Sequence, residues 1–430
     1  MRTSYTCLHL LVRTGLDKNK LGLNVKRGSK LVSFGTRNIL VLGLISCFAD
    51  ISSEMVYPII PLYLTAAFGA TPVLVGVIEG IAESLASLLK VVSGYVSDKF
   101  QHRKALAFAG YSTGVFYKFA LLFAHSWAGI LLARVIDRFG KGVRTAPRDA
   151  MISASAGSDT QGGAFGLHKM LDMLGSAAGI LISFFIVAKV GESGFKTVFA
   201  VSLIPIVLAL LLFSFVHDVP RTNDDPAVAE EHPKLSVRAQ WARLDSRLKL
   251  YLLVTVLFTL GNSSNTFLLL RASDVGFSDS SSILLYFTYN ITASLLALPC
   301  GRLSDHVGRR ALLVCGYLTF SLVYLGFGLC SSKPLMVAIF ILYGAYTALT
   351  TGAERALIAE IAPPELKGTM FGLQSTLVGV ALLPASVIAG ILWSAFGAPA
   401  PFIFGAVLSL AAALILLFGL KPSSSSASRA

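Results

Sequence analysis

Twelve apolar segments, each long enough to cross a lipid bilayer as a helix, dominate this chain of 430 residues. A helix needs about 20 mostly apolar residues to span the roughly 30 Å of hydrocarbon. The segments lie near 38–65, 72–96, 104–124, 127–146, 164–188, 195–216, 250–271, 281–303, 311–331, 335–355, 370–394 and 400–420. Hydrophobic residues make up 54% of the chain and charged residues 14%, which is too apolar for an ordinary soluble protein. We therefore predict an all-α membrane protein with twelve transmembrane helices.

The distribution of positive charge predicts the orientation of these helices. The net charge of +13 comes from Lys and Arg placed mainly in short segments between apolar runs, and not from one patch suited to nucleic acid. Most of them fall in the even-numbered connections. The positive-inside rule then places both termini in the cytoplasm, and we expect a multi-pass protein of the bacterial inner membrane. The basic N-terminal arm, 1–36, has no signal-peptide core, and we expect it to lie near anionic lipid headgroups.

A polar stretch and an internal repeat divide the chain. The longest polar stretch, 217–249, separates residues 37–216 from residues 250–420, with a short tail at 421–430. The string that begins at Gly94 recurs at Gly301, because 301 − 94 = 207. The string at Phe165 recurs at Phe371, with 371 − 165 = 206. Two matches at nearly one offset predict a duplicated six-helix unit joined by a cytoplasmic central loop.

The first repeated string resembles the loop signature G-x-x-x-D-x-x-G-R-R, which members of the major facilitator superfamily carry between the second and third helices of each half. The second copy matches fully, whereas the first has Gln101 in place of the glycine and His102 in place of the first arginine. The resemblance covers nearly all of the chain beyond the arm and implies two six-helix halves that alternate in access around a central cavity. It also implies a gating role for the loop residues, which are Gly94, Asp98, Arg103, Lys104, Asp305, Arg309 and Arg310.

The first two helices carry carboxylates inside apolar segments, at Asp50, Glu54, Glu79 and Glu83. We count inward at ~1.5 Å per residue from expected cytoplasmic ends near 37, 96 and 147. Asp50, Glu83 and Arg134 then all lie at a depth of ~20 Å. Charges at this depth face a partner or a water-filled path, so we expect both carboxylates to meet Arg134. Either they fasten helices together or they take part in proton coupling or substrate contact. We expect Glu79 and Glu54 to lie closer to the outer surface and to be solvated.

The fourth helix carries the string RVIDRFGKGVRTAPRD at 134–149. It resembles the superfamily's second signature, R-x-x-Q-G-x-G-A-A, which implies a role in proton transfer because a guanidinium lowers the proton affinity of a nearby carboxylate. The fuller string, together with S-S-E-M-x-Y-P at 52–58, is similar to a bacterial subgroup of presumed efflux permeases. The predicted charge network is Asp50, Glu54, Glu79, Glu83, Arg134, Asp137, Arg138 and Lys141, and the predicted inner mouth holds Arg144, Arg148 and Asp149.

Three further sets of polar residues lie outside this network. His168 and Asp172 are four residues apart, which favours either a pH-sensitive gate or a solvated pair. Lys118 is expected to snorkel or to pair outside the cavity. At an offset of 207, positions 341, 345, 348 and 351 align with the cations of the fourth helix and hold Ile, Ala, Ala and Thr. The second half is therefore expected to offer uncharged hydrogen bonds and aromatic surface to a solute, from Asn262, Asn265, Tyr286, Asn290, Tyr343 and Tyr346.

These patterns favour a monomeric secondary transporter that exports a small organic solute or drug in exchange for protons. The alternatives are uptake of an anionic nutrient or iron complex by symport, and a non-transporting membrane sensor or scaffold. The sequence has no G-x-x-x-x-G-K-[ST] loop and no H-E-x-x-H or G-x-S-x-G motif, so we expect neither ATP coupling nor an enzyme. The five cysteines show no metal-ligand spacing, and we expect no metal and no cofactor.

Overall fold

The computed structural model describes residues 25–100, 102–156, 161–217, 245–361 and 367–420, so most of the predicted arm, central loop and tail lies outside the described residues. The described part folds into twelve long helices, as predicted. They are α1 (Val25–Val56 and Ile59–Phe68), α2 (Pro72–Phe100), α3 (Arg103–Leu122), α4 (Trp127–Ser155), α5 (Gln161–Val190), α6 (Gly194–Val201 and Leu203–Leu212), α7 (Ser246–Gly261 and Thr266–Asp274), α8 (Asp279–Val307), α9 (Arg309–Leu329), α10 (Lys333–Ile361), α11 (Lys367–Phe396) and α12 (Ala400–Gly419).

Ten of these helices, within the described part, are long and apolar enough to cross a membrane. The other two, α4 and α8, have 29 residues each and are more polar. Helix α1 is interrupted at Tyr57 and Pro58, because proline has no N–H to continue the helix. Helix α7 is interrupted at 262–265. Both breaks bring polar backbone groups into the interior of the bundle.

The helices form two groups of six that meet along two seams. In the first group α1 packs against α5 and α6, and α4 packs against α2 and α3. In the second group α8 packs against α10, α9 against α10 and α12, and α7 against α11 and α12. Helix α2 lies along α11 and α5 lies along α8, and these two pairs join the groups. This arrangement is the two-halves architecture that the internal repeat predicts.

Matching contacts in the two halves correct the register of the repeat. Gly110 of α3 packs against Arg144 of α4, and Gly316 of α9 packs against Thr350 of α10. The offsets are 316 − 110 = 206 and 350 − 144 = 206. The loop between α8 and α9 is one residue shorter than the loop between α2 and α3. The offset therefore falls from 207 to 206 after this loop, and 207 is wrong for α4 and α10. The true counterparts of Arg134, Arg138, Lys141 and Arg144 are Phe340, Gly344, Thr347 and Thr350, which are also uncharged.

Glycines along the seam between α2 and α11 show which side of the bundle is closed. A Cβ atom on Gly390 would lie 2.6 Å from the carbonyl oxygen of Pro72, and one on Gly80 would lie 3.0 Å from that of Leu383. Both positions lie toward the predicted outer side, where the helices are in close contact. Toward the predicted cytoplasmic end of α11, a Cβ atom on Gly372 would have no neighbour within 4 Å among the described residues. The two helices are therefore in close contact toward the predicted outer side, and there is space beside α11 toward the predicted cytoplasmic side.

Candidate functional site

A bidentate ion pair joins α2 to α4 in the middle of the first half. The guanidinium of Arg134 donates from Nε to Glu79 Oε1 at 2.9 Å and from Nη2 to Glu79 Oε2 at 2.5 Å. Both side chains are 1% exposed. The fork of two parallel bonds is the strongest geometry available to an Arg–carboxylate pair. The expectation that Glu79 is solvated near the outer surface is wrong.

A second ion pair lies one helical turn away on the same two helices. Nη2 of Arg138 lies 2.8 Å from Glu83 Oε1, and Glu83 keeps 30% of its side-chain surface exposed. Asp137 Oδ2 lies 3.6 Å from Nη1 of Arg134 and 3.8 Å from Nη1 of Arg138, so this carboxylate sits between the two guanidinium groups. The two ion pairs bind α2 to α4, and Asp137, which lies on α4 itself, offsets part of the charge of the two arginines.

This pairing differs from the one predicted from the sequence. Arg134 forms its ion pair with Glu79 and not with Glu83 or Asp50. Glu83 forms its ion pair with Arg138. The reason lies in the true helix ends, because α2 continues to residue 100 and α4 to residue 155. Counted from these ends, Glu79 and Arg134 each lie 21 residues in, since 100 − 79 and 155 − 134 are equal. Glu83 and Arg138 each lie 17 residues in by the same count.

The carboxylates of α1 are paired far more loosely. Asp50 Oδ1 lies 3.9 Å from Nη2 of Arg144, and 23% of its side chain is exposed although it lies in the middle of the helix. The guanidinium of Arg144 also lies over the ring of Tyr111, 4.3 Å from its centroid. Glu54 is partly exposed, and it accepts a long hydrogen bond of 3.4 Å from the Tyr286 hydroxyl of α8. Exposed surface at this depth means that both carboxylates face the open space between the halves.

The predicted inner mouth contains two further contacts. Arg148 donates to Asp149 Oδ1 at 2.9 Å and 3.0 Å and to Ser46 Oγ of α1 at 2.9 Å. His168 Nδ1 lies 3.6 Å from Asp172 Oδ2, so the two share one face of α5 as predicted. His168 is 4% exposed, which rules out the solvated alternative. Nε2 of His168 and Oδ1 of Asp172 have no hydrogen-bond partner among the described residues.

Lys118 of α3 does not reach the membrane surface, and the expectation that it snorkels is wrong. Its side chain is 1% exposed, and Nζ lies 4.2 Å from the ring centroid of Tyr117. Asp137 is the carboxylate whose charge acts most strongly on it. Lys118 therefore belongs to the buried charge cluster around α4, where the negative ring face and Asp137 offset the charge of the ammonium group.

The second half presents a connected set of tyrosines and asparagines, which are the residues predicted to face a solute. The Tyr343 hydroxyl donates to Asn265 Oδ1 at 2.7 Å, and Asn262 Nδ2 donates to the Tyr346 hydroxyl at 3.3 Å. Asn290 Nδ2 donates to its own helix at the Tyr286 carbonyl, at 2.9 Å. These groups come from the break in α7 and from α8 and α10, so three helices supply one polar surface.

Two tyrosines outside the predicted site connect this surface to the first half. The ring of Tyr57, at the break in α1, lies 5.5 Å from that of Tyr286, which lies 5.5 Å from that of Tyr289. Tyr57 also lies 5.3 Å from the guanidinium of Arg134 and 5.6 Å from that of Arg138. The S-S-E-M-x-Y-P string already contains Tyr57, but its place beside α8 depends on how the halves meet.

The loops predicted to take part in gating hold helix ends together within each half. Lys104 Nζ donates to the Val216 carbonyl at 2.6 Å, at the end of α6. Arg310 donates to the Leu416 carbonyl at 3.2 Å and to the Leu417 carbonyl, at the end of α12. Each cation thus caps the negative end of a helix. Arg103 is buried with Nε unpaired within the described part, and Arg309 begins α9. The side chains of Gly94, Asp98 and Asp305 lie outside the described residues.

Arg271 is a buried cation that the sequence reasoning did not assign. It lies at the outer end of α7, donates to the Phe327 carbonyl at 2.9 Å and to the Cys330 carbonyl at 3.1 Å, and pairs with Asp274. These bonds satisfy the last carbonyls of α9, which have no partner inside the helix. Its role is to fix α7 to α9, far from the charge cluster of the first half.

Comparison with known proteins identifies the family. The model of the Major Facilitator Superfamily matches residues 42–270 and 250–430. An uncharacterized MFS-type transporter of Methanocaldococcus jannaschii is 34% identical over 389 residues, which cover 89% of this chain and 95% of the relative. An uncharacterized protein of Mycobacterium tuberculosis is 27% identical over 364 residues, covering 83% of this chain and 87% of the relative.

Solved structures show the same fold. The nucleoside transporter NupG superposes with a TM-score of 0.75 at 13% identity, covering 89% of this chain and all of NupG. A bacterial homolog of the human lysosomal transporter Spinster, in an inward-facing and unoccupied conformation, gives a TM-score of 0.69 at 16% identity and covers 90% of this chain and 95% of the homolog. The chain belongs to the major facilitator superfamily and is a multi-pass membrane transporter of small molecules, not an enzyme.

Proposed function

We propose that the protein exports a small organic solute across the bacterial inner membrane in exchange for protons, as a monomer with both termini in the cytoplasm. The observation that carries this proposal is the contrast between tightly and loosely paired carboxylates in one cavity. Glu79 is held by two short bonds to Arg134, whereas Asp50 has one cation at 3.9 Å and Glu54 has no cation within 4 Å in the described part. A carboxylate that faces water and lacks a firm partner is able to exchange a proton.

Alternating access supports a specific proton path. In the described arrangement Asp50 is 23% exposed, and α5, which carries His168 and Asp172 at 3.6 Å from each other, packs against the same part of α1, with Gly175 against Cys47. Protons would leave to the cytoplasm by this route, and Arg144 would replace the proton as the partner of Asp50. Binding of the solute to the tyrosines would then be coupled to protonation of Asp50 in the same cavity.

The direction of transport rests on the likeness to efflux permeases at 52–58 and 134–149. Uptake of an anionic nutrient is less well supported, because the arginines that would bind it are engaged. Arg134, Arg138 and Arg144 each have a carboxylate within 4 Å, and Arg148 pairs with Asp149. An anion of multiple charge would have to break these pairs.

Flux measurements in reconstituted vesicles test the proposal. A panel of labelled organic solutes is offered to vesicles with an imposed pH gradient of either sign, with and without a protonophore. We expect solute movement opposite to the proton gradient, which stops with the protonophore. Flux that is indifferent to the gradient would refute coupling, and flux parallel to the gradient would favour uptake. The absence of flux for all solutes in the panel would favour a sensor or scaffold.

A further inference from the structure

Two charged side chains in the cavity have no opposite charge within 4 Å among the described residues. They are Glu54 on α1 and Lys141 on α4, whereas every arginine of α4 is in an ion pair. Glu54 lies one turn beyond Asp50 on α1, Lys141 lies nearly one turn before Arg144 on α4, and Asp50 lies 3.9 Å from Arg144, so the two groups lie at a similar depth beside the same space. Both are partly exposed. The cavity therefore presents one uncompensated cation and one uncompensated anion across a gap.

The break in α1 adds a second acceptor beside Glu54. The backbone N–H of Tyr57 donates to the Ser53 carbonyl at 2.9 Å, in regular helical register. The next residue, Pro58, has no N–H, so the Glu54 carbonyl cannot receive the helical bond that would come from it. Carbonyls freed at breaks in transmembrane helices are suited to coordinate cations. The carboxylate and the carbonyl of one residue thus form a site for a positively charged group.

Aromatic rings surround the same end of the gap. The hydroxyl of Tyr286 donates to Glu54, and the rings of Tyr57 and Tyr289 flank that of Tyr286 at 5.5 Å each. An ammonium group within about 6 Å of such a ring is attracted to its negative face. An apolar or aromatic body would pack on the same rings. Glu54 and these tyrosines therefore fit an organic ammonium group attached to an apolar body.

We propose that the cavity binds a zwitterionic organic solute of the amino-acid type. Its ammonium group binds Glu54, its carboxylate binds Lys141, and its apolar side chain packs on Tyr57, Tyr286 and Tyr289. A simple cation would leave Lys141 without a counter-charge and a simple anion would leave Glu54 without one, so only a solute with both charges satisfies the site. This inference deepens the proposed function and rests on it for the statement that the bound solute is transported.

Binding to the purified full-length protein in detergent tests the assignment. The probes are phenylalanine, tryptophan and leucine, each compared with its amide, which is a cation, and with its deaminated acid, which is an anion. Hydrogen bonds to charged groups contribute enough for each lost charge to weaken binding about tenfold to a hundredfold. We expect at least one amino acid to bind that much more tightly than both of its derivatives in titration calorimetry.

Two substitutions assign each charge of the probe to a residue. With Glu54→Gln the amino acid should lose its advantage over the deaminated acid, and with Lys141→Met it should lose its advantage over the amide. Lys141→Arg should keep the preference for the zwitterion. Lys333→Met, on an exposed lysine over the ring of Phe277, is the matched control and should bind as wild type does. Size-exclusion profiles confirm that each variant is folded.

Several outcomes would overturn the inference. Tighter binding of an amide than of its amino acid would indicate a site for organic cations, and tighter binding of the deaminated acid would indicate one for anions. Failure of all the amino acids to bind wild type would also refute it. Binding in detergent needs no pH gradient, so zwitterion binding without vesicle flux refutes only the proposed function. Proton-driven flux of other solutes without zwitterion binding refutes only this inference.

Discussion

Replacing Glu79 by glutamine isolates the energetic role of the buried ion pair. The amide has nearly the size of the carboxylate, so the substitution removes charge and leaves packing intact. Arg134 cannot deprotonate and stays charged in a site that is 1% exposed. Its remaining partners are Asp137 at 3.6 Å and the ring of Tyr57 at 5.3 Å. We expect a large loss of stability because neither partner replaces the bidentate carboxylate.

The expected loss follows from the burial of the pair. Breaking a buried pair by removing one partner lowers the free energy of unfolding by about 3–5 kcal/mol. Asp137 offsets part of this, so we expect the lower end, about 3 kcal/mol. Glu83→Gln is the matched control, because Glu83 is 30% exposed, although Arg138 is 6% exposed, and this pair has one contact of 2.8 Å in place of two bonds. We expect that control to lose less stability than Glu79→Gln.

A double substitution separates the pair from its parts. At an offset of 206, the second half has Phe340 in place of Arg134, and Phe340 is buried. Leucine is an apolar residue close to Glu79 in size. The double variant Glu79→Leu, Arg134→Phe should therefore be as stable as wild type or gain about 1–4 kcal/mol. Unfolding by SDS in mixed micelles, followed by tryptophan fluorescence, measures all four proteins. A Glu79→Gln variant as stable as wild type, or a double variant as unstable as Glu79→Gln, would refute the reasoning.

Three further perturbations test other contacts. Asp50→Asn should abolish the response of solute flux to a pH gradient while the protein still inserts, and gradient-driven flux close to that of wild type would exclude Asp50 from coupling. Gly390→Val should slow transport at least tenfold in vesicles, because its Cβ would lie 2.6 Å from the Pro72 carbonyl and prevent outer closure; Gly372→Val, with no neighbour within 4 Å, is its control. Lys104→Met should lower stability in the SDS assay by about 0.3–1 kcal/mol through loss of the cap on α6, and an unchanged midpoint would contradict that role.

Helix positions could be predicted from the sequence because the apolar segments are long and the turns between them are short. The partners of the buried charges could not, since pairing depends on depth and depth depends on where each helix ends. Polar residues extend α2 to residue 100 and α4 to residue 155, past the limit of their apolar runs. The end of α4 lies eight residues and the end of α2 four residues beyond the expected positions, so the relative error is four residues, or about 6 Å of depth. It was enough to assign Arg134 to the wrong turn of α2.

The contacts between the halves could not be predicted from the sequence either. Tyr57 and Tyr286 are far apart in the chain and share no motif, and they meet because α1 breaks where α8 passes. The predicted division of labour between the halves does not depend on the alignment, because the positions of α10 that align with the cations of α4 are uncharged in either register of the repeat. The residues that replace them could be named only after matching glycine contacts fixed the offset.

The neutralised arginines of α4 have an electrical consequence for the transport cycle. Because each guanidinium moves together with its carboxylate, rocking of the first half carries little net charge through the membrane field. A zwitterionic solute adds none, so with one proton exchanged per solute the proton is the only charge that senses the voltage. Each elementary charge gains about 2.3 kcal/mol per 100 mV. That energy sustains a solute gradient of about fiftyfold, in addition to the gradient that the pH difference supports.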